Sequence, residues 1–141
     1  MKTHSEKLVA YFENLQPDDV ARMADFYAAD AYFCDPFNEV HHLADIQAIF
    51  TAMFAKLQQP RFKILNTYLS DEGAVLVWDF SFSVKFFRPH DYVIHGNSVL
   101  QFNAQGKVNY HRDYWDTSSE WYAKLPVIGG IFRRLRRAFS A

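Results

Sequence analysis

A histidine and an aspartate two positions apart, His111 and Asp113, stand in a stretch where apolar and polar residues alternate. Residues 95–116 are typical of two strands joined by a tight turn at 103–106. Successive strand side chains point to opposite faces of a sheet, so His111, Asp113 and Trp115 share one face. The other face carries Tyr110, Arg112, Tyr114 and Asp116. Ionisable groups on an inner face are costly unless they are paired or used, which predicts acid/base chemistry at Asp113.

Each of the other ionisable residues that could take part in catalysis has both a structural and a functional interpretation. His111 is either an orienting or relay group or a core histidine that donates to Asp113. Asp35 precedes Pro36, so it is either a turn residue at the end of a strand or a pocket base. Asp79 stands in an apolar strand and must face water, the pocket or a partner subunit.

The sequence predicts neither a metal nor another cofactor. His41 and His42 are adjacent, but no further ligand stands at a useful spacing, and helix capping accounts better for the pair. Cys34 is the only cysteine, which excludes an internal disulfide and suits a reducing compartment. It is expected on the opposite strand face from Asp35, so we predict a structural role.

Aromatic side chains are abundant: the 141 residues include 14 Phe, 8 Tyr and 3 Trp. This is more aromatic surface than a core of this size needs, which favours an aromatic-lined cavity or a hydrophobic interface. A Phe-rich core is the alternative explanation of the composition. The length fits one domain. The first 15 residues are too polar for a signal peptide and no apolar run approaches about 20 residues, so we expect a cytoplasmic protein.

Charge is unevenly distributed along the chain. Residues 124–141 hold five of the 15 basic residues and no acid, which leaves a formal charge of −6 on the rest. A mildly acidic body argues against general nucleic-acid binding, which needs a basic surface. Within the basic segment, apolar residues recur at helical spacing among four arginines; they are Ile131, Phe132, Leu135 and Phe139. We expect this helix to dock on the acidic body, with membrane-surface contact through residues 131–139 as the second expectation.

The predicted elements change from helices to strands along the chain. Helical spacing predicts helices over residues 5–15, from Pro17 onward, and over 42–57. A period of two predicts strands over 31–35, 61–70, 73–87, 91–103 and 107–116. Short turns make the last four strands antiparallel neighbours, so the fold class is α+β with helices on one sheet face. Residues 1–116 are predicted as the domain, with 117–141 as a helical tail of that same domain.

The order of elements, with the segments AADAYFCDPF and LQFNAQGKVNYHRDYWD, resembles a cone-shaped α+β superfamily. Its members include nuclear transport factor 2, ketosteroid isomerase, limonene-1,2-epoxide hydrolase and the SnoaL-like polyketide cyclases. The resemblance covers about residues 5–116. It implies a curved mixed, mainly antiparallel sheet wrapped around the N-terminal helices, and a pocket that hosts many unrelated activities.

Two enzyme families in this superfamily imply different site residues. Asp35-Pro36 matches the proton-shuttling aspartate of ketosteroid isomerases, Tyr11 matches their oxyanion-donating tyrosine, and Ser98 falls at their second oxyanion donor. The segment from His111 to Asp116 resembles the Trp-Arg-Asp-Tyr-Phe-Asp segment of epoxide hydrolases, which places Asp113 at their general acid. Their Arg-x-Asp pair aligns with Val77 and Asp79, so the carboxylate is present without the arginine.

We therefore predict a pocket with a small hydrophobic molecule as its partner. It is lined by Tyr11, Tyr27, Asp35, Trp78, Asp79, Ser98, His111, Asp113 and Trp115. The predicted chemistry is cofactor-free proton transfer on a carbonyl compound, with Asp35 or Asp113 as the base. Tyr11 and Ser98 would stabilise an enolate, and His111 would orient or relay. Alternatives are a non-catalytic binding or interaction domain and epoxide hydrolysis.

The outer face of the sheet predicts a homodimer. Helices can cover only one face, yet strand segments 75–87 and 93–102 carry apolar or aromatic residues in both alternating sets.

Overall fold

The computed structural model describes residues 2–84, 91–121 and 128–140. In chain order their elements are α1 (Lys2–Glu13), a 3₁₀ helix (Pro17–Asp25), β1 (Tyr27–Cys34), β2 (Glu39–Val40), α2 (Leu43–Lys56), β3 (Gln58–Leu69), β4 (Gly73–Ser83), β5 (Asp91–Phe102), β6 (Val108–Tyr114), α3 (Thr117–Glu120) and α4 (Ile128–Phe139).

One curved sheet holds all six of these strands, in the order β2-β1-β6-β5-β4-β3. Strand β1 pairs parallel with β6, and the other neighbouring pairs are antiparallel. Helices α1 and α2 and the 3₁₀ helix cover the inner face. The predicted α+β class, with a mixed, mainly antiparallel sheet around N-terminal helices, is confirmed.

Strand alternation decides which side chains reach the core. Along β4, Trp78, Phe80 and Phe82 are buried while the residues between them are only partly covered. They belong to the same core cluster as Phe12 and Phe50 from the helices, so the core lies between the helices and the inner face. Because each buried ring removes a large apolar area from water, this aromatic layer is a main source of stability.

The turn between β5 and β6 fixes their register at the predicted place. The Asn103 side-chain oxygen accepts hydrogen bonds from the backbone N–H groups of Gln105 and Lys107, each at 3.0 Å. Gly106 has φ 77°, a left-handed conformation that costs glycine little. The register places Asp113 directly opposite Ser98 and His111 opposite Leu100.

Several boundaries differ from the predictions. The segment after Pro17 is a 3₁₀ helix, β1 begins at Tyr27 instead of residue 31, and the short strand β2 was not predicted. The early start of β1 follows from parallel pairing between Tyr27 and Val108, a long-range contact with no local signal. The predicted strand end at residue 87 and the connection from there to residue 91 fall on residues 85–90, which lie outside the described residues.

We expected the basic helix to dock on the body, but the structure leaves the apolar side of the helix exposed, so that expectation is wrong for these side chains. In α4 the side chains of Ile128, Ile131, Leu135 and Phe139 are between 46% and 89% exposed. The helix begins at Ile128 and includes Gly129 and Gly130. Among the described residues, no helix is long and apolar enough to cross a membrane.

Candidate functional site

A cavity of about 600 Å³ lies between α2 and the inner face of the sheet. Nine of its 19 described lining residues are aromatic, among them Phe33, Phe62 and Trp115. The charged groups among the described lining residues are Asp35, Lys56 and Asp113. Volume and lining are typical of a site for a small, mainly apolar molecule that a few polar groups orient.

A chain of hydrogen bonds runs beneath the cavity wall. The Tyr27 hydroxyl lies 2.6 Å from Nδ1 of His111, and Nε2 of His111 lies 2.7 Å from Oδ1 of Asp113. Ser98 donates to the same Oδ1 at 2.5 Å, and the Trp78 indole N–H donates to Ser98 at 2.8 Å. These five residues, the polar chain, come from β1, β6, β5 and β4, which are neighbours in that order.

The direction of the protons in the polar chain follows from counting donors and acceptors. Burial, reinforced by the Asp113 carboxylate, raises the pKa of Tyr27 well above its ordinary value, so its hydroxyl keeps its proton. His111 Nδ1 is the only acceptor that the described residues offer this O–H. Nδ1 therefore carries no hydrogen, and the N–H on Nε2 donates to Asp113.

Two members of the polar chain, Asp113 and Trp78, line the cavity, and Asp113 is the ionisable one. Its Oδ1 accepts from both Ser98 and His111, whereas Oδ2 accepts no hydrogen bond from the described residues. The side chain is only 16% exposed. A partly buried carboxylate with one oxygen fixed and the other unused is a positioned proton acceptor.

Replacing Tyr27 by phenylalanine removes the one donor that the described residues offer to the buried Nδ1 of His111. His111 Nδ1 is then left unsatisfied, which we expect to cost about 1–3 kcal/mol of unfolding free energy. Nitrogen NMR of the His111 ring should show a shifted Nδ1 signal, because that atom loses its hydrogen bond, while Nε2 keeps its hydrogen and its bond to Asp113. Tyr32→Phe is the control on the same strand, because its hydroxyl donates to Glu39 at the surface. A Tyr32 effect as large as that of Tyr27 would contradict the tautomer argument.

Asp35 lies at the cavity, but its carboxylate builds the turn that follows β1. Oδ1 accepts from the backbone N–H groups of Phe37 and Asn38, both at 2.7 Å, and from the Asn38 amide at 3.2 Å. Oδ2 accepts from the same amide at 3.2 Å. The turn alternative is therefore the one that the geometry favours, although Asp35 still lines the cavity.

Tyr11 does not reach the cavity. Its hydroxyl donates to the backbone carbonyl of Asp19 at 2.6 Å, and its ring stacks on Phe26 at 4.5 Å between centroids. Burial, then the Asp19 charge, raises the pKa of Tyr11 to about 12. The predicted oxyanion role is wrong in this geometry, because α1 turns this side chain toward the 3₁₀ helix.

Asp79 lies on the outer face of the sheet. Its carboxylate is 2.8 Å from Nδ1 of His95, directly opposite on β5, and both side chains are exposed to solvent. Trp78 points into the core, so its strand neighbour must point outward. The predicted pocket role of Asp79 is therefore wrong, and the two-acid arrangement of epoxide hydrolases is not assembled with Asp113.

Ser98 is in the site, but not as an enolate donor. It is buried, and its single O–H is directed at Asp113 while its oxygen accepts from Trp78. Trp115 lines the cavity as predicted, and its ring meets Phe37 edge-on at 5.7 Å. Tyr27 stands behind His111 and holds it instead of lining the cavity.

Most of the described lining residues were not predicted from the sequence, and Lys56 and Trp121 are two of them. Lys56 lies on the same stripe of α2 as Ile49 and Met53, a spacing of four and seven that could have located it. Trp121 follows β6 and packs against Phe82 at 5.7 Å between ring centroids, where no sequence pattern places it. No group of three or more metal-ligating side chains is found in the described ranges.

A family model of the SnoaL-like domain matches residues 8–111. The chain belongs to the SnoaL-like domain family. The matched residues extend from α1 to His111, so four members of the polar chain lie inside them and Asp113 follows two residues later. Comparison with curated proteins finds no match.

Solved structures resemble this SnoaL-like domain in fold at low sequence identity. A nuclear transport factor 2-like protein of unknown function from Burkholderia pseudomallei is 15% identical with a TM-score of 0.75, covering 90% of this chain and 100% of its own. A protein with a ketosteroid isomerase-like fold from Catenulispora acidiphila, in complex with trimethylamine, is 15% identical with a TM-score of 0.71, covering 86% and 91%. A candidate SnoaL-like polyketide cyclase from Shewanella putrefaciens is 20% identical with a TM-score of 0.69, covering 85% and 96%. These likenesses establish the fold alone.

Proposed function

We propose that this SnoaL-like domain binds a small hydrophobic carbonyl compound and catalyses cofactor-free proton transfer, with Asp113 as the base. One observation carries the proposal: Asp113 lines an aromatic cavity, and its carboxylate has one oxygen held by two hydrogen bonds and a second that accepts none from the described residues. Such a group can remove a proton from the carbon next to a carbonyl and return it to the same or a conjugated carbon.

Asp113 is a better base than Asp35 on geometric grounds. Both oxygens of Asp35 accept hydrogen bonds from the loop that it closes, and moving that carboxylate would break the turn. Asp113 is fixed by Ser98 and by His111, and neither bond uses Oδ2. The polar chain then acts as a rigid support that holds the carboxylate for reaction.

The developing enolate needs a positive partner, and Lys56 is the group we assign to it. Lys56 belongs to the cavity lining, and its ammonium forms no ion pair with the described carboxylates. The electron pair released at carbon moves to the carbonyl oxygen, where a cation lowers the energy of the transition state. Tyr11 and Ser98 are not available for this role, because each already donates its O–H elsewhere.

Deuterium exchange tests the function without knowledge of the natural substrate. A monocyclic, a bicyclic and a steroidal ketone are incubated with the protein in D₂O, and mass spectrometry follows deuterium entering next to the carbonyl. Binding is measured in parallel by fluorescence, since Trp78, Trp115 and Trp121 line the cavity. We expect accelerated exchange of at least one ketone. Quenching by ketones that never exchange would support the non-catalytic binding domain instead.

We also propose that two copies pair through the outer face of the sheet. Tyr68 and Tyr114 stand on that face, 61% and 46% exposed, beside the partly covered Val75 and Val77. Apolar surface of this kind is expected to be covered in a stable protein. Sedimentation at high micromolar concentration should give a dimer for the wild type and a monomer for a Tyr68→Glu, Tyr114→Glu variant. A monomeric wild type would contradict the pairing.

A further inference from the structure

Helix α4 presents an apolar stripe to solvent along its whole length. Ile128, Ile131, Leu135 and Phe139 follow one another at intervals of three and four, so they share one side of the helix. All four are exposed. An exposed apolar stripe on a helix is typical of a surface that binds a partner or a membrane.

The remaining surface of α4 is strongly basic. Arg133, Arg134, Arg136 and Arg137 fall on the flanks and the far side of the stripe, and residues 124–141 contain no acid. Arg134, Arg136 and Arg137 are exposed and make no ion pair with a carboxylate of the described residues. The covering body must therefore accept an apolar stripe and cations at the same time.

We propose that α4 lies in the plane of an anionic lipid surface, with the stripe among the acyl chains and the arginines at the headgroups. The body of this chain attracts the arginines, yet it leaves the stripe uncovered. A second copy of α4 would cover the stripe but would bring two sets of arginines together, which like-charge repulsion opposes. Twelve residues measure about 18 Å, too short to cross a bilayer and suited to lying on it.

Vesicle co-sedimentation of the full chain tests this directly. Phosphatidylcholine vesicles are compared with vesicles that also contain phosphatidylglycerol, and we expect binding to the anionic ones, weakened by added salt. The Arg134→Gln, Arg137→Gln variant should lower the partition coefficient roughly 30-fold, from about 1 kcal/mol per arginine. The Lys7→Gln, Arg61→Gln variant removes the same charge from exposed positions of the body and should bind within about twofold of wild type.

The stripe has its own variant, Leu135→Ser, which should also weaken binding to the anionic vesicles. Equal binding of the wild type to both vesicle types, or to neither, would overturn the proposal. So would equal losses in the body and helix charge variants, because general charge would then explain the binding. Self-association that Leu135→Ser abolishes in the absence of vesicles, with no vesicle binding, would assign the stripe to a second copy.

Discussion

Replacing Asp113 by asparagine should lower the rate of ketone deuterium exchange by about 10²–10⁴-fold, the usual contribution of a positioned base. Asparagine keeps an oxygen that can accept from Ser98 and His111, so the polar chain and the cavity shape are preserved. What it loses is the basic oxygen at the cavity wall. Mass spectrometry of the ketone, at equal occupancy by fluorescence, measures the effect.

Two aspartate variants serve as controls for this experiment. Asp79→Asn removes the same charge from the outer face and should leave the exchange rate unchanged. Asp35→Asn keeps an oxygen that can accept from the backbone of its turn, so it should also retain activity. Exchange lost in Asp35→Asn but retained in Asp113→Asn would move the base to Asp35 and refute the assignment made here.

Truncation of Phe33 to alanine should cost about 3–5 kcal/mol of unfolding free energy, the usual range for a fully buried phenylalanine. Its side chain is 1% exposed and meets both Phe50 and His111 edge-on. Its removal merges new empty space with the cavity and releases one side of the His111 ring. Urea unfolding followed by circular dichroism gives the free energy.

Phe37→Ala is the matched control, because Phe37 lines the same cavity but is 58% exposed. Because Phe37 is mostly exposed, its truncation loses mainly the edge contact with Trp115, and we expect the unfolding free energy to fall by less than about 1 kcal/mol. Similar losses for the two variants would contradict the tight packing of Phe33 against Phe50 and His111.

The placement of His111 and Asp113 could be predicted because a strand has a period of two. Once residues 107–116 are taken as a strand, the shared face of the pair follows without any knowledge of its neighbours. The same rule was sufficient to exclude Asp79: Trp78 and Asp79 are adjacent in β4 and cannot both point inward. The alternation in β4 therefore already contradicted the predicted pocket role of Asp79.

Other parts of the site depend on contacts that no local pattern contains. Tyr11 has the family spacing, but its direction is set by how α1 packs on the 3₁₀ helix, which supplies the acceptor at Asp19. The Ser98 bond to Asp113 requires the register of β5 against β6, and Trp121 reaches Phe82 only after the sheet has curved. Fold class and the inward residues of β6 were therefore predictable, whereas hydrogen-bond partners were not.

The order of the strands also has a kinetic consequence for the polar chain. Its bond between Tyr27 and His111 joins residues 84 positions apart, through the one parallel pairing in the described sheet. The antiparallel strands β3 to β6 connect neighbours along the chain, so they can associate before that long loop closes. We therefore expect the last segment of the polar chain to be completed late in folding, so that its bonds slow unfolding more than they speed folding.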